Sequence, residues 1–467
     1  MMHEIVSSPS PEIFRAYDIR GIYPDVLNKN IAYTLGLALG SLAQTQSQTS
    51  IIVGHDHRYS SHPLCHALCE GLRKTGIRVI NIGQVATPLL YFATYFLKIP
   101  NGIMITGSHC EAHYNGFKMI LGGNVLADEA IQDLLRRIQE RKFLFSKEDG
   151  SYIEKNITTH YIDDITQRIS PFAKKNKIVI DAGHGMLSEL APIVLKKLQC
   201  DVIPLYCNID PNFPDHHPDP SQPENLQDLI HAVKTHHADL GIAFDGDGDR
   251  IGVVTGAGKI IWPDRLLAAY AKEILKNTPH ATIIYDVKCT RHLQPFIESC
   301  GGHALLWKTG HSYIKTKMKE TQAILAGEMS GHIFFSDNWY GFDDALYAAV
   351  RLISLLSTQT LSCHDFFKLI PDSINTPELK LPMEEEKKFP FIDQFIKNSI
   401  FHTGKKIIID GLRVEYDDGF GLIRASNTSP YLILRFEGLT TEALTRIQNE
   451  FRKNLLNLSP ELLSLPF

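Results

Sequence analysis

Three observations predict an α/β fold in which three related mixed-sheet α/β domains are followed by a smaller C-terminal α+β domain. The first is an internal repeat: a short β-rich run that ends in Asp and leads into a helical stretch occurs at residues 51–56, 178–181 and 282–286. Second strands such as 79–82 and 202–205 follow, and strand, helix, strand at this spacing makes βαβ units in largely parallel sheets. The second is length, since 467 residues at about 100 to 200 per domain make three or four domains, each able to bury a core. The third is a change of texture from Pro371 onward, where the acidic stretch 383–388 precedes strand-like runs at 405–410 and 431–436 and a closing helix at 441–455. Periodicity alone would also allow one large sheet for the repeats.

Taken in order, residues 15–21 (RAYDIRG) read as a polar turn ahead of a helical pattern at 31–42. Arg20 in that turn is either a solvated surface charge or a phosphate clamp. A strand at 102–106 runs into Gly107-Ser108-His109 and then Asn115-Gly116-Phe117-Lys118. A serine in a Gly-containing loop at a strand end is either a nucleophile or a turn residue. Ser108 is not flanked as Gly-x-Ser-x-Gly, so a hydrolase triad has no support. The charged stretch 136–150 reads as a helix and first linker and 255–259 as a turn-rich second linker. Domains are therefore expected at 1–150, 151–255, 256–370 and 371–467.

The chemistry concentrates in Asp245-Gly246-Asp247-Gly248-Asp249-Arg250, between the apolar runs 240–244 and 251–254. Carboxylates at alternate positions, spaced by glycines, let a tight loop aim three oxygen ligands at one hard cation, which predicts a Mg²⁺ site. An EF-hand would need Gly at its sixth position and Glu at its twelfth, and counting from Asp245 those are Arg250 and Gly256. A plain acidic hairpin turn is the alternative, because Asp-Gly is also a hairpin signal. Carboxylates packed this closely repel one another without a cation, and Arg250 offsets only part of their charge.

Two further clusters follow. Lys308-Thr309-Gly310-His311-Ser312 precedes Gly327-Glu328-Met329-Ser330-Gly331-His332, which sets an acid, a hydroxyl and an imidazole in a glycine-bounded loop suited to vicinal sugar hydroxyls, or else forms a polar turn. Arg424-Ala425-Ser426-Asn427-Thr428-Ser429-Pro430 gathers guanidinium, hydroxyl and amide donors that suit a phosphate dianion, or else cap a turn.

With 44% hydrophobic and 21% charged residues the chain reads as an ordinary soluble globular protein, and a net charge of -5 argues against a sequence-independent nucleic-acid binder. No stretch approaches the roughly 18 apolar residues of a membrane span, and residues 1–11 lack the features of a signal peptide. The eight cysteines include no Cys-x-x-Cys pair, and Cys65 and Cys69, one helical turn apart, read as buried small residues. A reducing, cytoplasmic setting is expected.

In their order and coverage, from Tyr17 to Arg435, these motifs resemble the phosphohexomutase family of the phosphomannomutase/phosphoglucomutase type, and most of all its bacterial bifunctional members. The resemblance implies four domains around a central cleft, a phosphoserine at Ser108, and Mg²⁺ held by Asp245, Asp247 and Asp249 with Ser108. It points to Glu328 and Ser330 for the sugar 3- and 4-hydroxyls and to Arg424, Ser426, Asn427 and Thr428 for phosphate. Tyr17, Lys288 and His311 are further substrate contacts by resemblance. Arg20, Lys118 and His332 are the acid/base candidates, with Arg250 beside the phosphoryl group. His332 is chemically the easiest base among them, because a neutral imidazole is available near pH 7.

The implied activity interconverts hexose 1-phosphate and hexose 6-phosphate through a bisphosphorylated intermediate, with mannose and glucose phosphates as partners and hexose 1,6-bisphosphate as activator. A monomer or weak homo-oligomer is expected. Phosphoglucosamine mutase is the nearest alternative, although glucosamine-specific relatives typically carry Gln where Met329 stands; a catalytically weak phosphosugar-binding protein and a phosphatase are others. One departure is Cys110-Glu111-Ala112, where the family usually has Asn-Pro-Pro or similar. It predicts a looser serine loop and an added negative charge near the phosphoryl group.

Overall fold

The computed structural model describes residues 3–169, 172–460, 462 and 465–467. Among the described residues four separate sheets organise the fold, which excludes a single large sheet for the repeats. In the first, Tyr114–Leu121, Gly102–Ile105, Ser50–His55 and Arg78–Gln84 lie side by side in that order. The second repeats the plan with Ile251–Thr255, Leu240–Phe244, Lys177–Asp181 and Asp201–Leu205, and the third with Ile333–Phe335, Leu325–Gly327, Thr282–Asp286 and His303–Trp307. In every copy the strand of the Asp repeat is central and parallel to its two neighbours, and an antiparallel strand follows on one side. Strands covered on both faces need continuous apolar runs, which is why these segments read as Ile/Val-rich without alternation.

The fourth sheet is antiparallel and six-stranded, built from Ile374–Asn375, Leu379–Pro382, Lys405–Ile407, Leu412–Tyr416, Gly419–Ala425 and Tyr431–Gly438. The helices Glu385–Asn398 and Thr441–Leu458 bury Phe395, Ile447, Phe451 and Leu455 against it. Its main core is separate, with Phe420 and Leu422 meeting Val287 of the third domain in a small cluster, whereas one large apolar cluster runs through the first three domains beside the smaller cluster that each keeps for itself. An aromatic cluster ties those three together: Trp339 stacks on Tyr347 with centroids 4.4 Å apart, and Phe92 meets Tyr161 edge-on at 5.5 Å. The fourth domain is anchored by Arg413, whose Nη1 donates to the carbonyls of Val287 at 2.6 Å and Cys289 at 2.7 Å.

Several boundaries differ from the sequence expectation. Residues 15–21 are not simply a turn, because Ile19–Ile22 is a strand that pairs antiparallel with Tyr114–Leu121 and sets Arg20 opposite Gly116. The strand Tyr152–Glu154 pairs with Arg78–Gln84, so the first sheet runs past 150, and Ile260–Ile261 pairs with Ile251–Thr255, so the second runs past 255. Lys405–Ile407 ends before the expected 410. Each misplacement is a short edge strand, where few contacts leave little periodic signal. All eight cysteines are free, with Cys65 and Cys69 buried, and among the described residues no helix is long and apolar enough to cross a membrane.

Candidate active site

The strand Gly102–Ile105 delivers the chain to Ser108, which takes a left-handed backbone conformation at φ +49. That conformation costs a non-glycine residue about 1–3 kcal/mol and persists only where the surroundings impose it. Here Ser108 N donates to Thr106 Oγ1 at 2.8 Å and Gly107 N to Asp56 Oδ2 at 3.0 Å. Arg58 does most of the holding. Its Nη2 donates to the carbonyls of Ser108 at 2.8 Å and Cys110 at 2.5 Å, and its Nη1 to those of Glu111 at 2.5 Å and Tyr114 at 3.1 Å. The loop is therefore braced despite lacking prolines, which corrects the expectation of slack. Glu111 directs its carboxylate to His113 at 3.4 Å in a largely exposed position.

Ser108 Oγ donates to Asp245 Oδ2 at 3.0 Å, joining the first domain to the second. The carboxylate loop closes on its own first residue: Asp245 Oδ1 accepts from the N–H groups of Gly248 at 3.0 Å, Asp249 at 3.0 Å and Arg250 at 3.1 Å. Its glycines are required by geometry, because Gly248 has φ +80 and a Cβ on Gly246 would lie 2.5 Å from Ser108 O. Lys118 Nζ reaches Asp247 Oδ2 at 2.8 Å and Asp249 Oδ2 at 2.5 Å, and Thr87 Oγ1 donates to Asp247 Oδ2 at 2.6 Å.

The three aspartates are fully buried, and each offers an oxygen within 4.8 Å of the others. Asp247 Oδ1 is buried without a hydrogen-bond partner. Burial, with Asp249 and Asp247 alongside, pushes the Asp245 carboxyl well above the usual carboxylate range. Burial would depress the Lys118 ammonium, but Asp247 and Asp249 outweigh it and hold Lys118 well above the ordinary lysine range. Three converging buried carboxylates with an unpartnered oxygen fit a hard divalent cation.

The other domains close around this pair of loops. His332 lies between Asp249 Oδ1 at 3.3 Å and Glu328 Oε2 at 2.9 Å, with Ser330 Oγ 2.9 Å from its Nδ1. Burial opposes its charged form, but Asp249 and the hydrogen bonds to Asp249 and Glu328 overcome burial and raise its pKa. Arg250 Nε sits 3.3 Å from His332 Nε2 and 4.0 Å from Asp245 Oδ2. His311 is pushed the other way, well below the usual range, by burial and by Lys315 and Lys118.

Tyr17 meets His311 edge-on at 5.3 Å, and its hydroxyl, raised first by burial, senses Asp18, Glu328, Arg424 and Arg20. Residues of the first, third and fourth domains therefore converge on it. Arg20 pairs with Asp18 Oδ2 at 2.5 Å and reaches Cys110 Sγ at 2.9 Å. Arg424 Nε donates to Asp410 Oδ2 at 3.0 Å while its Nη2 is buried with no partner, and Lys288 Nζ donates to Glu378 Oε1 at 2.6 Å. Ser426 Oγ accepts from Thr428 N at 3.3 Å, and Asn427 beside it is half-buried.

Sequence reasoning missed Arg58, Asp56, Thr87 and Thr106. A signal for Asp56 existed in the repeat itself. The Asp that ends each repeated strand braces a loop: Asp56 takes Gly107 N, Asp181 takes Gly183 N at 2.9 Å, and Asp286 takes Thr309 Oγ1 at 2.8 Å and Met329 N at 3.2 Å.

Three domains on one plan and a fourth, antiparallel one, closing on a serine and a carboxylate loop, form the architecture of phosphoglucomutase/phosphomannomutase proteins. The chain belongs to the phosphoglucomutase/phosphomannomutase family: it matches that family's alpha/beta/alpha domain I over residues 11–145, domain II over 159–258, domain III over 262–373 and C-terminal domain over 378–454. It is 46% identical over 467 residues to a phosphomannomutase/phosphoglucomutase of Pseudomonas putida, covering 100% of both chains. It is 47% identical over 454 residues to a phosphoglucomutase of Neisseria meningitidis, covering 97% of this chain and 98% of that one. A crystal structure of a phosphoglucomutase/phosphomannomutase family protein from Burkholderia thailandensis matches with a TM-score of 0.93 at 44% identity, over 98% of this chain and 100% of that one.

Proposed function

We propose that the protein interconverts hexose 1-phosphates and hexose 6-phosphates, with mannose and glucose phosphates as substrates, through a phosphorylated Ser108 and a bisphosphorylated sugar. The observation that carries this reading is the contact of Ser108 Oγ with Asp245 Oδ2 at 3.0 Å, beside a lysine that spans Asp247 and Asp249. A phosphoryl group is transferred mainly by positioning and by positive charge, and both are concentrated there.

In the first half-reaction the Ser108 Oγ–P bond breaks, a P–O bond forms to the free sugar hydroxyl, and that hydroxyl's proton passes to the neutral imidazole of His332, while Arg20 and Lys118, held as cations, stabilise the charge on the reacting oxygens. The bisphosphorylated sugar then turns over, and its other phosphate returns to Ser108 as the sugar oxygen regains a proton. Lys118 and Arg250 face the charge that develops on the moving group. Asp245, Asp247 and Asp249, with Ser108, would hold Mg²⁺, which when bound supplies positive charge at the transferring phosphoryl oxygens.

Glu328 and Ser330 grip the 3- and 4-hydroxyls. The unpartnered Arg424 Nη2, with Ser426, Asn427 and Thr428, holds the phosphate that is not reacting, assisted by Lys288, His311 and Tyr17. Hexose 1,6-bisphosphate serves as activator by restoring the phosphate on Ser108. The protein works as a monomer or weak homo-oligomer in the cytoplasm, a reducing setting that suits eight free cysteines.

A coupled mutase assay with Mg²⁺ and a trace of hexose 1,6-bisphosphate tests the proposal, offering mannose, glucose and glucosamine 1-phosphates side by side. Comparable turnover of the first two with little of the third is the expected result. Binding of all three without turnover would replace the proposal with a phosphosugar-binding role, and release of inorganic phosphate with a phosphatase.

A further inference from the structure

The helix Ser61–Lys74 carries His62, His66 and Glu70 at four-residue spacing, so the three share one face. The amino-terminal segment crosses beside it, held by Val6 N donating to Thr34 Oγ1 at 3.0 Å and Glu4 N to Asn30 Oδ1 at 3.2 Å. This path stacks the His3 ring on Tyr33, with centroids 5.4 Å apart, and brings His3 Nε2 to 3.1 Å from Glu70 Oε2. His66 Nδ1 stands 4.0 Å from the other oxygen, Glu70 Oε1. One ligand atom from each of His3, His66 and Glu70 lies within 4.8 Å of the other two.

Ligands about 2.0–2.1 Å from a tetrahedral ion are roughly 3.3–3.5 Å from one another, so small side-chain rotations would close this triad on one cation. Two imidazoles and one carboxylate form a donor set for a borderline divalent transition ion and not for Mg²⁺, which takes oxygen ligands. The His66 side chain is 66% exposed and that of Glu70 41%, which leaves an open approach and room for a water ligand. Among the described residues, the other clusters of this kind both include Asp249 and belong to the catalytic loops. We infer that His3, His66 and Glu70 form a second metal site, selective for Zn²⁺-like ions, that pins the amino-terminal segment onto the helix Ser61–Lys74.

The test is calorimetric titration of the chelator-washed full chain with Zn²⁺, in saturating Mg²⁺ so that the catalytic carboxylates are occupied. The wild type is expected to take up one equivalent of Zn²⁺ that His66→Ala and Glu70→Gln lose or bind more weakly by over roughly 10- to 100-fold, the cost of disturbing even a supporting residue. Circular dichroism and Mg²⁺-dependent turnover should match the wild type in both variants, which separates lost binding from lost folding. In the wild type alone, Zn²⁺ is also expected to slow hydrogen exchange at the amides of Glu4 and Val6. Identical Zn²⁺ isotherms for the wild type and His66→Ala would overturn the inference.

Discussion

Arg58 shows how much of this site rests on one residue that no motif marks. A planar guanidinium can serve four loop carbonyls at once, while Asp56 lies 3.3 Å from its Nε and the ring of Phe213, from the second domain, lies 5.1 Å from its Cζ. A lysine keeps the charge and loses the fork. Arg58→Lys is therefore expected to lower kcat by about 100-fold through displacement of Ser108, with KM nearly unchanged. A wild-type kcat would remove Arg58 from the positioning of the nucleophile. Ser108→Ala should eliminate turnover outright, and normal activity in that variant would end the phosphoserine mechanism. Arg424→Ala should raise KM far more than it lowers kcat, because its free Nη2 is assigned to the phosphate that is held and not to the one that moves. Ser108, the three aspartates and Arg424 could be picked out of the sequence as candidates because they sit in short motifs, with turn readings open on residue types alone and their roles supplied by the family resemblance. Arg58 was not, because its partners are carbonyls 50 to 56 residues away, and carbonyls carry no sequence signature.

At the scale of elements, the repeated strand ending in Asp serves two ends. Its apolar run builds the centre of each sheet, and its terminal carboxylate fixes the loops that emerge beside it, the serine loop in the first domain and the sugar loop in the third. The carboxylate loop depends instead on glycine. A Cβ at Gly246 would meet Ser108 O at 2.5 Å, a contact between backbones of two domains that no rotamer change relieves. Gly246→Ala is thus expected to push the serine and metal loops apart and reduce turnover at least about tenfold, while each domain's fold survives. A variant with full activity would show that the two loops tolerate separation. The motif was plain in the sequence, but the close approach that makes its first glycine necessary is a tertiary fact.

Across the whole molecule, Asp344 joins domains from within their shared core. Its carboxylate accepts from Tyr161 Oη at 2.9 and 3.0 Å, Trp339 Nε1 at 3.2 Å and Tyr347 N at 2.9 Å. Burial outweighs these donors and pushes its pKa up to about 7. An aspartate in an unfolded chain titrates near 3.9, so between about pH 4 and 7 the native state keeps a proton that the unfolded state has lost. That contribution to stability is complete at the acid end and is lost as pH rises through 7. Asp344→Asn stays neutral and can still cap its helix, so thermal melts between about pH 4.5 and 8 should show a flatter decline than the wild type. An unchanged slope would mean that the carboxylate is ionised in the native state throughout.

By itself the sequence determined the local and the periodic: three copies of a β-rich run with its helix, a change to a smaller α+β domain after Pro371, and short motifs that mark candidate chemistry. These survive in one dimension because hydrophobic period and loop composition are properties of neighbours in the chain. The tertiary structure alone decided which loops meet. It set Ser108 against Asp245, spread Lys118 across Asp247 and Asp249, turned His332 toward its charged form between Asp249 and Glu328, and braced a loop without prolines through Arg58. Those outcomes depend on distances between residues remote in sequence and on burial that several domains supply together, and electrostatic interactions change most where water is excluded.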